Sequence, residues 1–252
     1  MLGHSRSAVV EFVQGCWREP ERVKEVNATI VALIPKIPRP TTIQQYRPIS
    51  LCNVAYKVIM KCLAEKLKPL MTQLVHETQT SFVSWRQITD KISILREVVH
   101  SMRAKTGKVG WMTLKIDLAK AYDRIKWSFV RDTLVAAKVP QDFIELTMSC
   151  ITTASMQIQW NGGLTKEFRP SRGLHQGCPL SLYIFTLCME CLGQLVEAAV
   201  ARGDWKPIRL SQRGPLLSHL FFADDLIFFG VSSMEQVQVI SQCLQEFGAA
   251  SG

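Results

Sequence analysis

Three acidic residues carry the chemistry that this sequence is built to do. In HLFFADDLIFFG, residues 219–230, Asp224 and Asp225 sit side by side between two short segments rich in aromatic and branched side chains. Strands that apolar must be buried, yet two adjacent carboxylates cannot both stay ionised in an apolar site without compensation. A hairpin resolves the conflict by carrying both to its tip, facing a cleft. There a divalent cation is the natural partner, because Mg2+ prefers hard carboxylate oxygens. Taken alone, the pair fits an ordinary Asp-Asp turn exposed to water as well as it fits a metal site. A third acid shifts that balance. WMTLKIDLAKAYDRIKW, residues 111–127, reads as a strand that runs into Asp117. If Met112, Leu114 and Ile116 face the core, Asp117 points the other way with Thr113 and Lys115. A lone acid and an acid pair, far apart in sequence and able to converge on one sheet, make a two-metal site for phosphoryl transfer. Asp123 reads instead as a structural residue of the following helix.

The elements that must position these acids follow from periodicity. An amphipathic helix is expected over 5–19 and a strand over Asn27 to Ile34, where NATIVALI is β-branched and apolar. Pro35, Pro38 and Pro40 then enforce an extended basic loop. Helical spacing runs from about Val54 to Val75, with Lys57, Lys61 and Lys68 on one face, read as a solvated face or a phosphate track. Further helices are expected at 88–104, 127–138 and 141–152, and a hairpin over Ser155 to Phe168 around Asn161-Gly162-Gly163. An apolar helix over 180–201, the strand pair around the two acids, and a helix from about Ser233 complete the pattern. Helices and strands alternate irregularly, without repeats, which predicts an α+β fold.

Composition narrows the function classes. The 252 residues are 47% hydrophobic, enough for a sizeable core, and 20% charged, which excludes a disordered tail. A formal net charge of +9 suits a polyanionic partner, since each neutralised phosphate releases condensed counterions. Basic proteins that bind no nucleic acid are common enough that charge alone decides nothing. Cys188 and Cys191 form the one close cysteine pair, and His175 and His219 show no matching spacing, so buried thiols are expected there rather than zinc. Free thiols in a long chain fit a reducing compartment. The segment from Ser181 to Ala201 approaches membrane-span length, but Glu190, Gln194 and Glu197 give it a polar stripe. It is expected to be a buried helix of a chain with no membrane partner.

Beyond the acids, the order of motifs is specific. LIPK at 33–36, YRPISLCNVAYK at 46–57, FVSWRQITD at 82–90, KIDLAKAYDRIKW at 115–127, RGLHQGCPLS at 172–181, FADD at 222–225 and the closing FGAASG together resemble the reverse transcriptase domain of non-LTR, LINE-type retrotransposons, with plant elements the nearest look. The resemblance runs from about residue 25 to the end. It implies the fingers and palm of a right-hand polymerase, the palm an antiparallel sheet backed by helices, with no thumb. The implied division is an N-terminal helical extension over 1–24, fingers over 25–110, the first catalytic palm strand over 111–126, a connection over 127–175, and the palm with its catalytic hairpin over 176–252.

The same resemblance implies an RNA-directed DNA polymerase acting by two-metal nucleotidyl transfer. Asp117 and Asp224 would hold two Mg2+ ions, with Asp225 in support and Mn2+ able to substitute. Arg47 would grip the incoming dNTP, aided by Lys36. Tyr122 would press on the sugar and exclude a 2′ hydroxyl, and Gln176 and Gly177 would line the nucleotide pocket. Phe82 and Arg86 would meet the template. The implied partners are an RNA template, a DNA primer and dNTP, and the thumb and endonuclease regions of a parent polyprotein are missing. A nuclear site is favoured by the resemblance alone. Trp85, Lys91, His175 and Leu182 depart from the usual glycine, asparagine, arginine and proline, in the manner of a decaying element copy. Two alternatives therefore stand: a degenerate, non-catalytic relic that binds nucleic acid, and a nuclease using the same carboxylates. The set of Arg47, Tyr122 and Gln176 counts against the nuclease, which has no dNTP to hold.

Overall fold

The computed structural model describes every residue except 1, 82, 84, 85, 176 and 212. The chain opens with α1 (Leu2–Arg18), a 3-10 segment and β1 (Ala28–Pro35), followed by β2 (Tyr46–Cys52) and α2 (Val54–Leu67). Next come α3 (Met71–Leu74), α4 (Ile88–Ala104), β3 (Trp111–Asp117) and the short α5 (Ala121–Arg124). Two helices, α6 (Trp127–Ala136) and α7 (Gln141–Thr152), precede the hairpin of β4 (Ser155–Trp160) and β5 (Gly163–Leu164). The long α8 (Pro179–Arg202) leads to β6 (Ile208–Arg209), β7 (Leu216–Leu217), β8 (His219–Phe222), β9 (Asp225–Val231) and α9 (Met234–Ser251). The fold is α+β, as the irregular alternation predicts.

Local chemistry explains the differences from the sequence reading. The helix expected over Val54 to Val75 is interrupted by a 3-10 turn at Lys68–Leu70, because Pro69 disfavours the α conformation of the residue before it. YRPISL forms a strand despite Pro48. Strand β2 lies at the edge of its sheet, where a missing N–H costs no ladder bond. The helix expected to reach residue 138 stops at Ala136, and Lys138 takes a positive φ of 55°.

Two compact units make up the chain, each from two stretches: residues 1–67 with 122–184, and residues 68–121 with 185–252. In the first, a four-stranded sheet has the order β2-β1-β4-β5. Strand β1 pairs antiparallel with β2 and parallel with β4. The β4–β5 turn places Asn161 and Gly162 at φ 48° and 82°, the left-handed pair a two-residue hairpin needs. Alternation splits the sheet into unlike faces. Thr29 and Val31 are buried, whereas Arg47, Ile49 and Leu51 stand exposed on the other side of the paired strands. The core of this unit is helical: Tyr56, Ile59, Met60 and Leu63 of α2 and Ile144 and Leu146 of α7 are fully or almost fully buried.

The second unit holds a three-stranded antiparallel sheet, order β3-β9-β8. Both of its faces are covered. On one, Leu220 and Phe229 pack with Val98 of α4 and with Ile208. On the other, α8 comes so near β8 that a Cβ at Gly193 would lie 3.3 Å from the His219 ring and 3.8 Å from that of Phe221. Helix α8 is long and apolar enough to cross a membrane, and 61% of its most apolar window is packed inside the molecule. The polar stripe expected on that helix grades from core to surface. Glu190 is buried, Gln194 is exposed, and Glu197, half-buried, has an oxygen 3.0 Å from His76 Nδ1 in the segment after α3. Cys188 is buried and Cys191 half-buried, and all eight cysteines are thiols outside any disulfide.

Candidate functional site

The acidic site is made by strand pairing in the second unit. Strand β3 runs antiparallel to β9 with Asp117 directly opposite Asp225, and β8 pairs with β9 so that Phe222 also faces Asp225. Directly opposed residues in an antiparallel pair point to the same face. Asp117 and Asp225 therefore share one face of the sheet, beside Lys115 two residues back on β3. That face continues into the apolar cluster of Leu220, Phe229 and α4, which anchors the strands behind the acids. Asp224 lies in the turn between Phe222 and Asp225, where Ala223 adopts a positive φ of 53°. An alanine held in the left-handed region at such a turn is strained, because its Cβ crowds the backbone.

Asp117 is exposed and Asp224 and Asp225 are partly exposed, so water reaches all three. Lys115 Nζ lies 2.8 Å from Asp225 Oδ1. The hydrogen bond and charge of Asp225 raise the Lys115 pKa, and the charge of Asp117 adds to the effect. One cation is thus already drawn to these carboxylates. Among the described residues, no group of three His, Cys, Asp or Glu side chains converges closely enough to hold a metal ion. Even so, an exposed pair of hard-oxygen carboxylates across one strand pair fits a divalent cation by the chemistry of its donors.

The residues expected to hold a nucleotide lie in the first unit. Leu174 N donates to Tyr122 O at 2.8 Å, and Gly173 N donates to Ile125 O at 2.8 Å. These bonds join the motif around Tyr122 to the one that contains Gly177. Trp127 Nε1 adds a bond to Gly173 O at 2.9 Å. Gly173 is required there: its φ is +92°, and a Cβ would lie 2.9 Å from the Asp123 carbonyl oxygen. This joint escaped the sequence reading, although the Arg-Gly before Leu174 offered a signal of a tight backbone. Gly177 also takes a positive φ, 89°, with open space where a side chain would be. Tyr122 is half-buried. Arg47 stands on the exposed face of the four-stranded sheet. A cavity of about 250 Å³ lined by Val31, Pro48, Ser50, Asp123, Arg172 and His175 lies against the opposite face. Lys36 is engaged locally, donating to Gln44 O at 3.1 Å.

Gln176, Phe82 and Trp85 lie outside the described residues. Arg86 is committed to backbone: its guanidinium donates to the carbonyls of His76 and Gln79 at 2.7 Å and of Val75 at 2.8 Å. Lys91 donates to Glu77 O at 2.7 Å, and burial lowers its pKa. His175 is buried with Nδ1 3.3 Å from the Tyr56 hydroxyl, which donates to Cys150 O at 3.1 Å. Burial lowers the His175 pKa to about 4, so the ring is neutral at pH 7.

The sequence is similar to proteins of transposable elements. A 149 kDa uncharacterized protein of the transposon TX1 from Xenopus laevis is 26% identical over 227 residues, covering 88% of this chain and 16% of the relative. The Pol polyprotein of the type-2 retrotransposable element R2DM from Drosophila melanogaster is 23% identical, covering 90% and 20%. The chain therefore spans a fifth or less of either relative. Telomerase from Candida tropicalis, solved in complex with a TWJ fragment of telomeric RNA, superposes with a TM-score of 0.58 at 17% identity. That match covers 88% of this chain and 39% of the telomerase chain, and is a likeness of fold. A family model described as reverse transcriptase (RNA-dependent DNA polymerase) matches residues 34–252, and with most of its length so matched the chain belongs to that family.

Proposed function

We propose that this chain is the RNA-directed DNA polymerase domain of a non-LTR retrotransposon, joining a primer 3′ oxygen to the α-phosphorus of a dNTP and releasing pyrophosphate. The observation that carries the reading is the register of β3 on β9, which sets Asp117 opposite Asp225 beside the turn that holds Asp224. In this reading the three-stranded sheet belongs to the palm and the four-stranded sheet to the fingers. Asp117, Asp224 and Asp225 would hold two Mg2+ ions. When bound, these supply Lewis-acid stabilisation of the charge that develops on the phosphoryl group and its leaving pyrophosphate.

The chain's own side chains do the rest by positioning and charge. Arg47 offers a planar fork of donors to the triphosphate. The Tyr122 ring, fixed through its backbone to Leu174, presses on the sugar and selects deoxynucleotides. Gly177, bare of a side chain, admits the nucleotide close to backbone. The surplus of Lys and Arg, 30 against 21 acids, attracts the RNA template and DNA primer. Lys91 and His175, which depart from the usual residues, both have hydrogen-bond partners, which favours a maintained domain over a decayed one.

Two measurements test the proposal. The first is Mg2+-dependent dNTP incorporation on an RNA template by the chain joined to a thumb, compared with Asp224→Asn; equal incorporation by both would end it. The second is independent of turnover. A dNTP with Mg2+ should raise the melting temperature of the chain and not that of Asp117→Asn, since a ligand of the folded state must stabilise it.

A further inference from the structure

We propose that Arg86 is a positioning residue for the acidic hairpin, holding a strand-like segment at 78–80 against β8, and is not a ligand of template phosphate. The idea rests on the polymerase reading for its consequence and on hydrogen bonds for its substance. In the three-stranded sheet β8 is one of the two outer strands, and an outer strand leaves a row of backbone groups unpaired. Here residues 78–80 take that place. Phe221 N donates to Thr78 O at 2.9 Å, Thr80 N donates to Phe221 O at 3.2 Å, and Gln79 bridges Phe221 in parallel sense. Side chains add to the seam: Thr78 Oγ1 lies 2.8 Å from His219 Nε2. Gln79, Thr80, Phe221 and His219 are all at most 4–5% exposed, so these bonds are shielded from water.

What shapes the segment is charge. It leaves α3 through a tight turn closed by Gln79 N, which donates to His76 O at 3.1 Å. The Arg86 guanidinium takes three of them, those of Val75, His76 and Gln79, and the Lys91 ammonium takes that of Glu77. Charged donors make the stronger hydrogen bonds, and a guanidinium spreads them over fixed directions. With three of its five N–H groups spent on backbone, Arg86 is a clamp. Phe221 stands immediately before Phe222, which pairs with Asp225. The clamp therefore acts on the strand that sets the turn of Asp224.

Amide hydrogen exchange with residue resolution, on this chain and on Arg86→Met, decides the matter. Exchange at Thr80 and Phe221 should quicken about tenfold in the variant while amides of the β3–β9 ladder keep their protection. Arg86→Lys, which reaches fewer carbonyls, should fall between. Where incorporation is measurable, kcat should drop with the KM for dNTP unchanged, and the salt dependence of binding to an RNA–DNA duplex should stay the same. Unchanged exchange together with a weaker, less salt-sensitive affinity would overturn the proposal and make Arg86 a phosphate ligand. If Arg86→Met loses protection throughout, the Arg86→Lys exchange pattern is decisive: loss confined to Thr80 and Phe221 supports the clamp, and uniform loss refutes it. A wild-type chain that incorporates nothing even when joined to a thumb would count against the polymerase reading, and the exchange result would still stand or fall by itself.

Discussion

The two sheets of this molecule differ in how many faces they cover. The three-stranded sheet is packed on both sides, by α4 and its apolar cluster on one and by α8 on the other, and its hairpin end stays wet. The four-stranded sheet buries Thr29 and Val31 on one face and leaves Arg47, Ile49 and Leu51 bare on the other. A sheet clamped on both faces fixes its carboxylates in place, which metal-assisted chemistry demands. A sheet with one open face leaves a broad surface instead.

The largest effect should come from removing one of the fixed acids. Asp117→Asn keeps the shape and loses the charge, and dNTP incorporation should fall by about a thousandfold or more, with little change in melting temperature. A fall of a few-fold would mean that precision at this strand end does not matter. Stability should separate the sheets next. Phe228 is fully buried and its ring meets Phe221 edge-on at 5.5 Å. Phe228→Ala should cost about 3–5 kcal/mol in urea unfolding. Ile49 is 39% exposed, and Ile49→Ala should cost about 1 kcal/mol or less. Similar losses at both positions would erase the contrast.

Acid should loosen both units, for the same reason in each. Burial lowers the pKa of His219 to about 3 and of His175 to about 4, from an ordinary 6.5. Between those folded values and 6.5 the unfolded chain binds the protons, so stability is fully present above pH 6.5 and is lost as pH falls below it. The slope is at most about 1.4 kcal/mol per pH unit for each ring. His219→Gln keeps polar contacts with Thr78 and Ser218 and should flatten that slope in thermal melts between pH 6.5 and 4. An unchanged slope would show that this histidine is not the group being titrated. The smallest effect is expected at Lys115. Lys115→Met removes a cation that competes for Asp225, and Mn2+ affinity measured by paramagnetic resonance should tighten severalfold. Weaker Mn2+ binding would mean that the lysine holds the carboxylate in shape and does not compete for it.

The acids were legible because their neighbours are. Alternation in WMTLKID exposes a strand running into Asp117, and FADD between two apolar segments exposes a hairpin, and both elements form there. Strand β2 was hidden by Pro48, since an edge strand that tolerates proline looks locally like a loop. The two-residue strands β6 and β7 are too short for periodicity to register. Gly173 was passed over because the backbone that a side chain would strike there, at Asp123, lies far off in sequence. Arg86 looked like a template contact, because the carbonyls it binds have no signature in the residue types that carry them.

By itself the sequence determined the kinds of chemistry available: three carboxylates, a glycine for close approach, an arginine fork, and the strands and helices on which each is mounted. Those choices are local, set by side-chain type and by periods of two and 3.6 residues. Only the tertiary structure decided that Asp117 lies across from Asp225, that Tyr122 is tied to Leu174, and that Arg86 serves backbone carbonyls. Partners so far apart along the chain are chosen by which surfaces α4 and α8 can bury on the sheet, and burial is a property of the whole fold.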